Sequence, residues 1–375
     1  MTQEELTNYA YQVSNRFDKI NTVYIEELSK QIKEIGELTP SQLDKVVQLS
    51  KMSENLDKIN QMLAIASSVT VKELYEVYKK VGGFAYDRYQ QAYKMKTGLA
   101  KGNRTWLTSY IDAVGDLTNG TFQNLSRTTV ISQTYRDTID TACDAVLAGV
   151  DDYNGAVRKS VAQVATNGIS VQYSSGVTRR IDSAVRMNVL EGVKQVNEHV
   201  RERAGREFGA DGVEVSVHAL CAPDHLDIQG KQFSKAEFEK VNGALKRKIA
   251  TCNCHHITFP IILGISEPAY TKEELAKYRK NSTEMLDVNG SKMTRYQATQ
   301  LQRRMETEMR KTKDLCIAGR TSGDSRLQER AERRLKKLRD TYTKVSSDAG
   351  LKPKWDRTYV PGYYGKQFTP KQVTI

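Results

Sequence analysis

Cysteine and histidine are scarce in this chain and crowded into one short window. Of the 5 cysteines and 5 histidines in 375 residues, three cysteines and four histidines lie between positions 218 and 264. The task that these two side chains share most often is holding a metal ion, zinc above all. The window therefore predicts a structural zinc site. The predicted ligands are Cys221, His225, Cys254 and His256, with His218 and Cys252 in reserve.

The second half of this site rests on the segment Cys-Asn-Cys-His-His at positions 252–256. If the segment is extended, alternate side chains face the same way, so Cys254 and His256 can point together. The step from Cys221 to His225 is not a standard zinc-finger spacing, and a second interpretation stays open. In that interpretation a buried thiol and hydrogen-bonded histidines simply hold the loops in place.

A third interpretation is a metal-dependent nuclease or hydrolase that uses the same cysteines and histidines. The sequence lacks the H-E-x-x-H motif of metalloproteases and the H-x-E motif of deaminases. It also lacks a phosphate-binding glycine loop, a G-x-S-x-G elbow and a dinucleotide fingerprint. We therefore expect a protein that is not an enzyme and has no small-molecule substrate.

Hydrophobic periodicity predicts a mainly α fold in three parts. Residues 1–167 form a long helical region for partner binding, with one long helix over the first 35 residues and further helices beginning at Thr39, Ser53 and Thr70. Residues 168–270 form a small α+β module that carries the Cys/His window. Its strands are predicted within 212–220, 230–234 and 257–263, with a strand or turn after Gly168. Residues 271–375 form a basic helical region with an extended aromatic tail.

The net charge of +12 is unevenly distributed along the chain. From position 281 to the end there are 21 Lys and Arg against 11 Asp and Glu, a net charge of +10, which leaves 36 against 34 in the first 280 residues. A local excess of positive charge favours contact with a polyanion, and phosphate contacts from it would be independent of sequence and sensitive to salt. The candidate contacts to double-stranded DNA are Arg303, Arg304, Arg310, Lys311, Arg333, Arg334, Lys336 and Lys337.

The chain shows no targeting segment and no disulfide framework. No apolar run approaches the ~20 residues needed to cross a bilayer, and the N-terminus lacks the pattern of a secretory signal. The odd number of clustered cysteines predicts reduced thiols inside a cell.

Several blocks of the chain occur in an order that resembles a known family. They are TRRIDSAVRMNVLEGV, FGADGVEVSVHALCAPDHLDIQGKQFS, CNCHHITFPIILGISEPAYTKEEL, RYQATQLQRRMETEMRKTKD and AGLKPKWDR, between about positions 176 and 357. They resemble the minor capsid proteins of tailed phages and prophages of Gram-positive bacteria, the phage minor capsid protein 2 family. The chain is also similar, more distantly, to the head-morphogenesis proteins named after the F protein of phage Mu, whose N-C-R-H segment corresponds to positions 253–256.

This resemblance implies a structural protein of the virion at the portal vertex or in the capsid interior. It implies that the portal protein and other phage head proteins are partners, with roles in head assembly and in DNA packaging or ejection. During assembly such a protein is expected in the host cytoplasm.

Overall fold

The computed structural model describes residues 3–98, 102–148, 153–251 and 254–368. The helices in these ranges are α1 (Gln3–Gly36), α2 (Lys45–Thr97), α3 (Thr105–Arg127), α4 (Ile131–Leu147), α5 (Tyr153–Asn167), α6 (Ile181–Glu207), α7 (Lys235–Gly243), α8 (Lys272–Thr283), α9 (Arg295–Ser322) and α10 (Ser325–Asp348). The strands are β1 (Ser170–Gln172), β2 (Thr178–Arg180), β3 (Gly212–Val215), β4 (Gln232–Ser234), β5 (Thr258–Ile261), β6 (Met285–Val288) and β7 (Ser291–Thr294). The predicted mainly α fold, with its strands in the middle of the chain, is confirmed. No helix in these ranges is long and apolar enough to cross a membrane.

The second helix begins later than predicted and runs without a break. Asp44 caps α2 by accepting hydrogen bonds from the backbone N–H groups of Val46 and Val47, whereas Thr39 begins a turn before the helix. The helix starts predicted at Ser53 and Thr70 were wrong, because both residues lie inside α2. The Thr70 hydroxyl is buried and accepts a hydrogen bond from Arg16 of α1 at 3.0 Å, so it serves a tertiary contact rather than a cap.

The largest hydrophobic core joins the N-terminal helices to α6. In α1 the rings of Phe17 and Tyr24 are buried, and they lie against Phe122 of α3 and Tyr135 of α4. Helix α6 falls within the predicted module at 168–270, but its row of buried valines belongs to this same core. The first two predicted regions therefore share one interior.

A three-stranded antiparallel sheet in the order β4-β3-β5 carries the Cys/His window. Val215 at the end of β3 pairs with Thr258 at the start of β5. This register places the residues that follow β3 beside those that precede β5. The sheet has a small core of its own around Val215, Ile228 and Ile249.

A hairpin of β6 and β7 precedes α9 and was not predicted from the sequence. Its turn is Asn289-Gly290, with φ angles of 53° and 77°. Positive φ at both central residues is the requirement of a type I′ turn, and Asn-Gly is the sequence that most favours it. The signal was present in the chain and was overlooked.

The aromatic tail turns back onto the helices of its own chain. The ring of Trp355 lies edge-on to Tyr342 of α10, with 4.9 Å between ring centroids. The buried amine of Lys313 in α9 donates to the backbone oxygen of Thr358, and the hydroxyl of Thr22 in α1 donates to that of Pro361. The described part of the tail is therefore held by α1, α9 and α10.

A buried network of charged side chains joins α1, α6 and α9. Arg310 of α9 donates to Asp182 of α6 and lies 3.9 Å from the carboxyl group of Asp18 in α1. Arg180, which ends β2, is 3.3 Å from Asp182 and 2.7 Å from Asp314 of α9. The network thus links residues from all three predicted regions. Four of its side chains are buried: Asp18, Asp182, Arg310 and Asp314.

The charges in this network balance if one carboxyl group holds a proton. Burial, helped by the neighbouring Asp182 carboxylate, raises the pKa of Asp18 to about 8. Burial also disfavours ionised Asp182, but the Arg310 and Arg180 guanidinium groups outweigh it and keep the pKa of Asp182 below its ordinary value. Burial raises the pKa of Asp314 as well, although its carboxylate keeps the hydrogen bond from Arg180. With Asp18 as the neutral acid, the two guanidinium groups face the carboxyl groups of Asp182 and Asp314.

Candidate functional site: a histidine and cysteine cluster

Three of the predicted ligands bring their donor atoms to one point beside the sheet. The Nδ1 atoms of His225 and His256 are 3.3 Å apart, and the Sγ atom of Cys254 lies 3.8 Å from the first and 3.4 Å from the second. All three side chains are buried. Among the described residues, these three side chains form the group of His, Cys, Asp or Glu donors that is compact enough to hold a metal ion.

Local backbone structure explains why these side chains meet. His225 ends a short 3-10 helix, Pro223–His225, that follows β3. Cys254 and His256 lie in the irregular segment that leads into β5, and both side chains reach the cluster while that of His255 does not. Hydrogen bonds between Ser216 and Ile257, one in each direction, hold the two segments side by side.

The far side of each imidazole ring is fixed by an acceptor. The Nε2 atom of His225 lies 2.7 Å from the backbone oxygen of Arg247, and that of His256 lies 3.1 Å from the side-chain oxygen of Gln229. The same Gln229 oxygen accepts from the backbone N–H of His218 at 3.4 Å, which fixes the orientation of the amide. Since both partners are acceptors, both Nε2 atoms carry the hydrogen, and the two Nδ1 lone pairs point into the cluster.

The environment of the cluster lowers the pKa values of His256 and of the Cys254 thiol. Burial and the neighbouring imidazoles lower the pKa of His256 to about 3. Burial alone would raise the pKa of the Cys254 thiol, but the hydrogen bond with His225 and those with backbone N–H groups outweigh burial, so that the pKa is lowered. Burial likewise lowers the pKa of His225, and the contact with Cys254 reverses that effect and raises it.

The remaining predicted ligands lie outside this group. The Cys221 thiol is buried, does not converge with the three donor atoms, and has its pKa raised to about 12 by burial. The ring of His218 is 4.3 Å from that of His256 between centroids, but its Nδ1 donates to the backbone oxygen of Ala219 at 2.8 Å. Cys252 lies outside the described residues. His255 faces Arg303 instead, with 3.5 Å between nitrogen atoms.

A cavity of about 420 Å³ opens beside the cluster, and His225 and Cys254 form part of its wall. Arginine side chains from α6 and α9 line it too, among them Arg186 and Arg303. One guanidinium nitrogen of Arg186 is buried and has no hydrogen-bond partner in the described part of the chain. The cluster is therefore reached from a cavity whose walls are positively charged.

The structure separates the predicted DNA contacts into different environments. Arg310 is buried in the charged network, so we withdraw it from the set. Lys311 and Arg334 both pair with Glu308, at 3.1 and 2.7 Å. The remaining residues of the set are exposed: Arg303, Arg304, Arg333, Lys336 and Lys337.

Helix α10 presents a row of exposed cations that the sequence analysis recognised only in part. Arg326, Arg330, Arg333 and Lys337 follow one another at steps of four, three and four residues, which keeps all four on one side of a helix. All four are exposed, and we call them the basic stripe. At 1.5 Å per residue the stripe is about 16 Å long. Arg326 and Arg330 were missed because charge was counted by segment and not by helical phase.

The model of one protein family matches most of the chain. The family is described as phage minor capsid protein 2, and the match spans residues 1–345. The chain belongs to this family. A phage minor capsid protein is a structural component of the virion, so the resemblance noted in the sequence is confirmed. The match also includes the N-terminal helices, where the sequence offered no reliable motif.

No curated protein and no solved structure matches this minor capsid protein. Its more distant similarity to the head-morphogenesis proteins named after Mu F stays a prediction. The family match does not bear on a metal or on DNA, which depend on the geometry described above.

Proposed function

We propose that this minor capsid protein sits at the portal vertex, binds the portal protein through its N-terminal helices and takes part in head assembly. The observation that carries the proposal is the family match, which begins at residue 1 and so covers those helices. Like other head components, the protein would pass through the host cytoplasm during assembly.

The surface of α2 supports a protein partner on the N-terminal region. Ile65 and Val69 are 65% and 40% exposed and lie one helical turn apart, so they share one side of the helix. Large apolar side chains that share an exposed face are typical of a surface that another helix covers. We assign this side of α2 to the portal contact.

The portal-vertex assignment is tested by quantitative mass spectrometry of gradient-purified particles and of immature heads. We expect the chain in intact particles, in amounts comparable to the portal subunit and far below the major capsid subunit. An amount comparable to the major capsid subunit would contradict a location at a single vertex. Absence from both particles and heads would overturn the virion role and favour the alternative of a metal-dependent nuclease or hydrolase.

We further propose that the basic stripe of α10 contacts packaged double-stranded DNA. No ion pair neutralises Arg326, Arg330 or Lys337 among the described residues, and in the pair of Arg333 with Glu329 the two side chains are 70% and 65% exposed. An exposed pair of this kind is worth at most ~1 kcal/mol, so a phosphate group competes easily with it. A helix that carries four exposed cations over about 16 Å can contact several phosphate groups of a duplex without reading bases.

Neutralising the basic stripe should weaken DNA binding and flatten its dependence on salt. The variant changes four residues to Gln: Arg326, Arg330, Arg333 and Lys337. We expect it to reduce the magnitude of the slope of log affinity against log salt by about one for each phosphate group that it no longer neutralises. Fluorescence anisotropy with a random-sequence duplex measures the slope. A matched control changes four exposed lysines elsewhere to Gln, namely Lys72, Lys80, Lys272 and Lys277. Equal slopes for the two variants would refute the assignment.

A further inference from the structure

We propose that His225, Cys254 and His256 bind a zinc ion with three protein ligands, and that the fourth ligand is exchangeable and enters from the adjoining cavity. This site differs from the four-residue site that the sequence predicts, because Cys221 takes no part. The proposal does not depend on the portal or DNA assignments. It rests on the distances between donor atoms, on the hydrogen bonds behind them and on the cavity in front of them.

The distances between donor atoms match those around a tetrahedral zinc ion. Bond lengths of about 2.0–2.1 Å to nitrogen and 2.3 Å to sulfur place two nitrogens about 3.3 Å apart, and a nitrogen and the sulfur about 3.6 Å apart. The observed nitrogen pair is separated by 3.3 Å, and the sulfur lies 3.4 and 3.8 Å from the two nitrogens. A single ion therefore fits between the three atoms with little movement.

The hydrogen bonds behind the rings direct both lone pairs at the same point. The carbonyl of Arg247 and the amide oxygen of Gln229 each accept the Nε2 hydrogen of one ring. Such outer partners are the usual way in which a protein orients histidine ligands. Without a cation, two buried acceptor nitrogens 3.3 Å apart would share only the single hydrogen of the thiol, whereas a metal ion satisfies all three donor atoms.

The cavity explains why the fourth ligand should be exchangeable. In the described part of the chain no fourth His, Cys, Asp or Glu side chain joins the group. His225 and Cys254 line the cavity of about 420 Å³, so a small molecule can reach the metal from that side. Three protein ligands with one open position is an arrangement typical of zinc sites that keep a bound water. The arginines of the cavity wall would favour an anion over water at that position.

Metal substitution tests the site on the whole protein. We expect the purified chain to bind about one equivalent of Zn²⁺ and to be stabilised by it in thermal unfolding. The Co²⁺ form should show the charge-transfer absorption of a cobalt–thiolate bond together with the strong visible bands of four-coordinate cobalt. If neither Zn²⁺ nor Co²⁺ binds, or if bound Co²⁺ lacks the charge-transfer absorption, the proposal is wrong.

Matched cysteine variants decide which thiol is the ligand. Cys254→Ala should abolish the charge-transfer absorption and lower Zn²⁺ affinity more than ~100-fold, whereas Gln229→Leu should lower it by about 10–100-fold because the ring of His256 is no longer oriented. Cys221→Ser and Cys252→Ser serve as controls and should retain both properties. Loss of the absorption in either control would overturn the three-ligand set. Because Cys254→Ala can disturb folding, the spectrum of the wild-type Co²⁺ form stands as an independent test.

Anion titration of the Co²⁺ form tests the fourth position. Thiocyanate and inorganic phosphate are the probes, and we expect either of them to shift the visible bands while the charge-transfer absorption persists. Bands that do not respond to either anion would show that a protein side chain or an inaccessible ligand completes the site, and would contradict the open position.

Discussion

Replacing Arg310 by Met should destabilise the protein by about 3–5 kcal/mol, since it leaves buried carboxylates without their partner. The guanidinium group of Arg310 is the main counterion of Asp182, and methionine occupies a similar volume without charge. Equilibrium unfolding in urea at pH 7 gives the free energy of unfolding, provided that several probes report one transition.

An exposed ion pair provides the control for this destabilisation. Arg279 and Asp227 are 2.7 Å apart but more than half exposed, so Arg279→Met should cost less than about 0.5 kcal/mol. The double variant Arg310→Met with Asp182→Asn should be more stable than the sum of its single variants predicts, because the unpaired charge is then removed. If Arg310→Met costs no more than Arg279→Met, the network does not hold the three helices as we describe.

Asp18→Asn should remove a large part of the dependence of stability on pH. The folded protein raises the pKa of Asp18 from 3.8 to about 8, so between these values the folded state holds a proton that the unfolded state has lost. The stabilisation from Asp18 is therefore complete below about pH 4 and is lost as the pH rises through about 8. Within this window the free energy of unfolding should fall by about 1 kcal/mol per pH unit.

Comparison of the wild type with Asp18→Asn between pH 5 and pH 8 isolates this effect. Asparagine resembles the protonated acid, so the variant should already be somewhat more stable than the wild type at pH 5, and the difference should grow by roughly 3 kcal/mol between pH 5 and pH 8. Asp287→Asn, at an exposed carboxylate of β6, controls for a general change of charge. A stability difference between wild type and Asp18→Asn that stays constant over the range would show that Asp18 is ionised throughout.

The sequence predicted the helical regions of this protein better than the residues at which individual helices begin. At the starts of α8 and α9 the local sequence matches the structure, because Thr271 and Thr294 are each followed three residues later by Glu274 or Gln297 and make the hydrogen bonds of a capping box. Thr70 offered a similar signal and gave a wrong helix start. Its hydroxyl is used by Arg16, a contact between residues 54 positions apart that no local pattern reveals.

The same limit applies to the candidate site. Alternation along the segment before β5 was enough to pair Cys254 with His256, but the place of Cys221 depends on how the turn after β3 folds. That turn includes Leu220 at a φ of 62°, a backbone conformation unusual for leucine. The sequence also led to a wrong prediction for Arg310, which was assigned to the DNA-contacting surface because it lies in a basic helix. Its acidic partners lie far away in the sequence, in α1 and α6.

Cross-linking mass spectrometry of intact particles tests the central claim most directly. Lys72 and Lys80 are exposed on α2, the helix that carries Ile65 and Val69, and they provide the reactive amines. We predict that a lysine-reactive reagent links these two residues to the portal protein. Links from them mainly to the major capsid protein, with none to the portal, would contradict the proposed location of this minor capsid protein.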